Sequence, residues 1–232
     1  MLNATCAIFK KDLKLMLGKG AGSGLAQATL FGLLLIFIFS LTKSASEGIS
    51  PEAAATVFWV ATLFSLVLVF SGLYALEETK AQRRGLLLAP SPIQSIWLGK
   101  ALAGLVIVLL TQLVFLPGVG IFLDQPAWEF EKLCMAPGVI LLVDIGLVAP
   151  GSLLGALTQG QSAREPLLSI VIFPLLLPLL LAAIRLCAAL FSADTPQTSE
   201  SFFAWLKLVL AFDSLYAAAG LLLFAFVYKY PD

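Results

Sequence analysis

The sequence has 232 residues, of which 60% are hydrophobic and only 12% are charged, and its mean hydropathy is +1.00. A soluble domain carries about a quarter of its residues as charged side chains, so this chain has too few polar groups to cover a water-exposed surface. The formal net charge is zero, so the charge balance does not indicate a nucleic-acid partner. These properties exclude a soluble globular protein and predict an integral membrane protein.

The residue types also limit the chemistry that this chain can perform. Histidine is absent, which excludes histidine ligands for haem or zinc, a histidine general base and a Ser-His-Asp triad. The three cysteines, Cys6, Cys134 and Cys187, have no metal-binding spacing and are interpreted as small apolar residues of helix surfaces. No GxxxxGK[ST] motif for nucleotide phosphates occurs. The sequence predicts no catalytic, metal or cofactor site, so any ATP-driven work depends on another subunit.

The N-terminal residues 6–17 predict an amphipathic helix that lies in the membrane interface. Its apolar residues and its lysines fall on different sides, namely Cys6, Phe9, Leu13, Met16 and Leu17 on one and Lys10, Lys11 and Lys14 on the other. The lysines of such a helix face water or anionic lipid headgroups. The alternative is the charged start of a signal peptide cleaved near Ala45, which is less favoured because the following apolar run is longer than usual.

Six apolar runs are long enough to span a membrane, because about 20 residues of helix cross its hydrocarbon core. They cover residues 24–42, 53–76, 101–123, 134–158, 166–190 and 202–227. Little of the chain remains for a second domain, so we predict an all-α fold with one transmembrane domain over residues 1–232. Ser50, Pro51 and Glu52 form a helix-start signal before the second span. Pro174 and Pro178 predict a kink in the fifth.

The distribution of basic residues predicts the orientation, because lysine and arginine stay on the cytoplasmic side. With the N-terminus inside, ten of the 14 basic residues lie in inner segments. The outer side holds the other four, Lys43, Lys132, Arg185 and Lys207. The sequence therefore predicts that both termini are cytoplasmic.

The cytoplasmic stretch 77–100 is longer than a simple connector between two antiparallel spans needs to be. It combines both charge signs with a short apolar run, in the residues Glu77, Glu78, Lys80, Arg83, Arg84, Leu86, Leu87 and Leu88. Such a mixture suits a short interfacial helix that docks onto a soluble partner. The alternative is a solvated loop.

Four charged residues lie within or at the ends of the predicted spans. Asp144 and Asp213 fall roughly midway along the fourth and sixth spans, where a carboxylate costs at least about 2.5 kcal/mol and faces the protein interior or a water-filled cavity. Interhelical hydrogen bonds to threonine or serine, or capping of a helix break near Pro150, are favoured over a polar lining or a proton site. Arg185 and Lys207 lie near outer span ends, where snorkelling is favoured over a basic exit for an anionic substrate.

Several motifs, taken in order, resemble those of the haem exporter protein B family, and the resemblance covers nearly the whole chain. They are FKKDL at residues 9–13, GLLLAP at 85–90, LGK at 98–100, GALT at 155–158, EPLL at 165–168 and FPLLLP at 173–178.

This resemblance implies a six-helix permease of the type-2 ABC exporter kind in the bacterial inner membrane. It would work as two copies with two ATPase subunits, whose stroke the segment 77–100 would receive. It also implies a haem-handling membrane protein and a small single-helix protein as partners in cytochrome c maturation. The cargo would be haem, or the energy would release a haem-loaded chaperone. The absence of histidine favours the second version.

Other functions stay open at this point. A secondary transporter could use Asp144 or Asp213 as a proton site, although no inverted repeat supports it. A passive membrane scaffold, or an ABC permease for a lipid or drug, would share the features described above.

Overall fold

The computed structural model describes residues 2–18, 22–42, 49–75, 77, 92–124, 130–157, 164–191 and 200–229. These residues form seven helices, which are α1 (Leu2–Leu17), α2 (Gly22–Leu41), α3 (Pro51–Ala75), α4 (Gln94–Phe122), α5 (Phe130–Leu157), α6 (Arg164–Phe191) and α7 (Glu200–Lys229). Helices α2 to α7 are each long and apolar enough to cross a membrane. The predicted all-α fold with six spans and a preceding short helix is confirmed.

Helix α3 begins where the sequence signal places it. The Ser50 hydroxyl accepts the backbone N–H of Ala53 at 3.2 Å, which satisfies one of the donors that a helix start leaves free. Pro51 occupies the first helical position, where its missing N–H costs nothing.

Helix α4 begins at Gln94, close to Ser91 and Pro92, where the sequence gives a second helix-start signal. The apolar helix runs from Gln94 to Phe122 and so extends further toward the N-terminus than the span predicted for residues 101–123. Lys100, the last residue of the predicted cytoplasmic segment 77–100, lies inside this helix and is completely buried.

Helices α3 and α5 form the centre of the bundle. In an apolar 18-residue stretch of each helix, 72% of the residues of α3 and 78% of those of α5 are buried, against 17% in α2 and 28% in α7. The side chain of Phe70 on α3 is fully buried against Gly104 of α4 and Gly151 of α5. Glycine at these positions lets the helix backbones approach closely. Small residues are common between membrane helices, where association depends on close van der Waals packing because the hydrophobic effect does not drive it.

The prolines do not interrupt the helices. Helix α5 continues through Pro150, so the helix break that Asp144 was suggested to cap does not occur. Helix α6 likewise continues through Pro174 and Pro178. The Tyr216 hydroxyl of α7 donates a 2.6 Å hydrogen bond to the Leu175 carbonyl, which lies between these prolines, and so links α7 to the backbone of α6. The kink in this helix stays a prediction.

Candidate functional site

A buried group of charges lies where one end of the bundle meets α1. Lys100 of α4 and Asp12 of α1 are both completely buried, and the Lys100 Nζ lies 3.2 Å from Asp12 Oδ2. The same ammonium lies 3.1 Å from Glu77 Oε1 and donates a 3.1 Å hydrogen bond to the Leu73 carbonyl of α3. It also lies 4.8 Å from the centre of the Tyr74 ring, within the range of a cation–π contact.

Two further groups contact Glu77, whose carboxylate is almost wholly buried just beyond α3. Lys11 of α1 lies 2.6 Å from Glu77 Oε1 and 3.1 Å from Asp12 Oδ1. The Tyr228 hydroxyl of α7 donates to Glu77 Oε2 at 3.0 Å. We call the four charged residues Lys11, Asp12, Glu77 and Lys100 the charge cluster. Its formal charges sum to zero, as the burial of charge requires.

The helical spacing of α1 explains how its charge reaches this place. Thr5, Ile8, Asp12 and Met16 recur every three or four residues and form the buried side of the helix. Ile8 lies directly against Gly99 of α4, where an added Cβ would come within 2.8 Å of the isoleucine side chain. Gly99 directly precedes Lys100 in the chain. Because Asp12 lies on the same buried side of α1 as Ile8, this packing brings Asp12 close to Lys100.

The ion pairs determine the protonation of the two groups that lie outside the spans. Burial alone raises the pKa of Glu77, but the Lys100 charge and the Lys11 hydrogen bond outweigh it and hold the pKa below its usual value. Burial alone lowers the pKa of Lys11, and the bonds to Glu77 and Asp12 outweigh that effect and raise it. Glu77 is thus a carboxylate and Lys11 an ammonium at neutral pH.

The charge cluster also shows which helix ends lie next to each other. It joins α1, the end of α3, the start of α4 and the end of α7, so these four parts meet at the same face of the bundle. Residues 78–91 follow Glu77 directly in the chain and lead to α4. The segment 77–100, which the sequence marked as a docking element, thus begins and ends with a member of the charge cluster, Glu77 and Lys100.

The structure changes the interpretation of Glu77. We predicted it as a surface contact for a soluble partner, but its carboxylate is turned into the protein and bonded to Lys11, Lys100 and Tyr228. The other predicted docking residues lie outside the described residues and stay predictions, namely Glu78, Lys80, Arg83, Arg84, Leu86, Leu87 and Leu88.

Asp144 is completely buried in the middle of the bundle. Its Oδ1 accepts a 2.9 Å hydrogen bond from the Gln112 amide of α4, and the same amide nitrogen lies 3.5 Å from the Thr62 hydroxyl of α3. This is the interhelical hydrogen bonding that the sequence favoured, with a glutamine between the aspartate and the threonine. Gln112 also lines a cavity of about 290 Å³ between α4 and α5, whose other lining residues are apolar.

Asp213 lies at a different place in the bundle. Its carboxylate packs directly against the backbone of α5 at Gly146, where an added Cβ would overlap it, and neither oxygen accepts a hydrogen bond from the residues that the structure describes. Asp144 and Gly146 are two positions apart and so point about 200° apart around α5. Asp144 therefore faces α4, whereas Gly146, the residue that Asp213 contacts, faces α7.

Arg185 and Lys207 are both exposed. Their snorkelling stays a prediction. Within the described part of the chain, no group of three His, Cys, Asp or Glu residues is placed to hold a metal ion.

Sequence reasoning did not identify Asp12, Lys11 and Lys100 as a site. Two signals were available. Asp12 shares the buried helical spacing of Ile8 and Met16, and Lys100 follows Gly99 directly in a stretch that is otherwise apolar. Neither signal could show that the two side chains pair, because 88 positions separate them.

Six long apolar helices around buried polar groups, with an amphipathic helix at one face, define an all-helical multi-pass membrane protein. The family model described as CcmB protein matches residues 3–228. The chain belongs to the CcmB protein family, and the resemblance seen in the sequence is confirmed.

Curated relatives agree with this assignment. A protein of Paracoccus denitrificans named heme exporter protein B is 29% identical over 219 residues, which cover 93% of this chain and 97% of the relative. Proteins of the same name from Haemophilus influenzae and Pseudomonas aeruginosa are 28% and 26% identical. The alignments cover 76% and 95% of this chain, and 77% and 97% of those relatives.

Proposed function

We propose that this chain is the membrane subunit of an ABC transporter that acts in cytochrome c maturation in the bacterial inner membrane. It couples ATP hydrolysis by a separate subunit to the export of haem or to the release of a haem-loaded chaperone. The family membership and the relatives named heme exporter protein B support the haem-related part of this proposal. ATP is bound by the partner subunit, and haem is either the cargo of the complex or the load of the chaperone that it releases.

One structural observation carries the coupling part of the proposal. The charge cluster pairs Glu77, which precedes the segment 78–91, with Lys100 of α4, which follows it; Lys100 is also bonded to α1 and Glu77 to the end of α7. A force on this segment would therefore reach four elements of the bundle at once. We place this face in the cytoplasm, in agreement with the ten basic residues of the inner segments, because the ATPase subunit works there.

The proposed assembly contains two copies of this chain and two ATPase subunits. The haem-handling membrane protein and the small single-helix protein complete it. Arg83 and Arg84, together with Lys80 and the apolar Leu86, Leu87 and Leu88, supply the contact with the ATPase.

Charge reversal tests the docking role directly. Arg83→Glu combined with Arg84→Glu should abolish co-purification of the ATPase subunit from detergent-solubilised membranes, because like charges would then meet at the contact. The matched control reverses Lys10 and Lys14 to glutamate, the same charge change on the exposed side of α1, and should retain the ATPase. Normal ATPase recovery with the Arg83/Arg84 variant would show that this segment does not dock it.

A further inference from the structure

Lys100 lies in α4, which follows the segment 78–91, and its bonds connect α4 to α1, to α3 and to Glu77, the residue that precedes the segment. An ammonium group has three donors, and Lys100 has three oxygen partners within 3.2 Å, on Asp12, Leu73 and Glu77. These partners belong to α1, α3 and the residue that precedes the segment. We propose that Lys100 is a positioning residue for energy coupling, which makes α1 move together with the segment when the ATPase displaces it. This inference rests on the proposed function.

The energetics of burial favour movement as a unit. Lys100 and Asp12 are completely buried, so separating them would leave charges in a medium where they are poorly solvated. Apolar contacts act in the same direction, since Ile8 lies against Gly99 and Met16 lies close to Gly72, while Phe9 and Leu13 pack against the core. A displacement that reaches Glu77 or the first turns of α4 therefore carries α1 with it rather than breaking the cluster.

The composition of the cluster also argues for a role beyond stability. Apolar residues of similar volume often stabilise a buried site as well as ion pairs do, and the best-attested use of buried charge is to select one register. Here the ion pairs select the register of α1 on α3 and α4, since Asp12 meets Lys100 at only one rotation and depth of α1. Lys11 and Tyr228 add bonds to the same Glu77 carboxylate, so the end of α7 follows as well.

Cys6 offers a direct probe of α1, because it is exposed on this helix whereas Cys187 is buried. The experiment uses the complete complex with its ATPase, in which the remaining cysteines are replaced and Cys6 carries a nitroxide. The readout is the change in nitroxide mobility between the nucleotide-free complex and the complex trapped with ATP and vanadate. ATPase activity and co-purification are measured on the same samples.

In the native sequence, nucleotide trapping should change the mobility of the Cys6 label. Lys100→Met should abolish most of this change while the ATPase still co-purifies and hydrolyses ATP. Lys100→Arg, which keeps the charge, should restore part of it. Asp12→Asn is the second variant. It removes the charge of Asp12 on α1 and leaves Lys100 bonded to Glu77 and Leu73. It therefore tests the inference even if the Lys100→Met complex does not assemble.

The matched control is Ser95→Ala, which alters a buried residue of the same helix start whose hydroxyl has no hydrogen-bond partner among the described residues. It should leave the response of the label unchanged. A native response in Asp12→Asn, or no response in the native complex with bound ATPase, would overturn the inference. Failure of the native chain to bind any ATPase would instead overturn the proposed function, and the inference with it.

Discussion

Replacing Gly151 by alanine is expected to destabilise the bundle, because the Phe70 ring already occupies the space that the new methyl group needs. An added Cβ would lie 2.8 Å and 2.9 Å from Phe70 Cδ2 and Cε2, whereas carbon atoms pack best at about 3.5–4.0 Å. The ring would have to retreat by roughly 0.7 Å or more. Its tip, however, lies against Gly104 of α4, where there is equally little room.

The expected cost is in the upper part of the range for overpacking a core, about 2–3 kcal/mol. For a chain of this size that cost corresponds to a fall in Tm of roughly 4–12 °C. Thermal unfolding of the detergent-purified protein, followed by tryptophan fluorescence, measures it. Phe70→Leu combined with Gly151→Ala should recover part of the loss, because the smaller side chain leaves space for the methyl group.

Gly138 provides the matched control on the same helix, because an added Cβ there meets nothing within 4 Å. Gly138→Ala should leave Tm unchanged or raise it, since alanine is the better helix former. Equal Tm values for Gly151→Ala and Gly138→Ala would refute the packing of Phe70 between α4 and α5.

Two further predictions concern single polar groups. Tyr216→Phe removes the donor to the Leu175 carbonyl and should lower the free energy of unfolding by about 1 kcal/mol, measured by thermal unfolding. Ser214→Ala loses only a hydrogen bond within its own exposed turn and should have little effect. Equal losses of stability in the two variants would contradict this role of Tyr216. Glu77 has a pKa below its usual 4.5, so its ionisation stabilises the fold above that value and the contribution is lost as the pH falls through the lowered pKa. The difference in Tm between the native protein and Glu77→Gln should therefore be largest near neutral pH and shrink in acid, and a difference that does not change with pH would contradict the buried ion pairs.

The number and place of the spanning helices could be predicted from the sequence, because lipid imposes a length and an apolar composition that each span must meet by itself. The helical state of α1 could be predicted too, but the side that it buries could not. The buried residues are Thr5, Ile8, Asp12 and Met16, of which only Met16 belongs to the predicted apolar side, and Lys11 is bonded to Glu77 rather than facing water. The position of Asp144 and Asp213 near the middle of α5 and α7 followed from counting along each span.

The partners of the charged residues were decided only by the tertiary structure. Asp12, Glu77, Lys100 and Tyr228 come from distant parts of the chain, and each could have faced water if the helices had packed in another rotation. The burial of Lys100 within α4 could not be predicted for the same reason, since a lysine is buried inside an apolar helix only where its charge is paired. The rotation of each helix about its axis likewise decides that Asp144 faces Gln112 and that Asp213 contacts Gly146. Close packing between helices sets that rotation, so it cannot be read from the sequence of one helix alone.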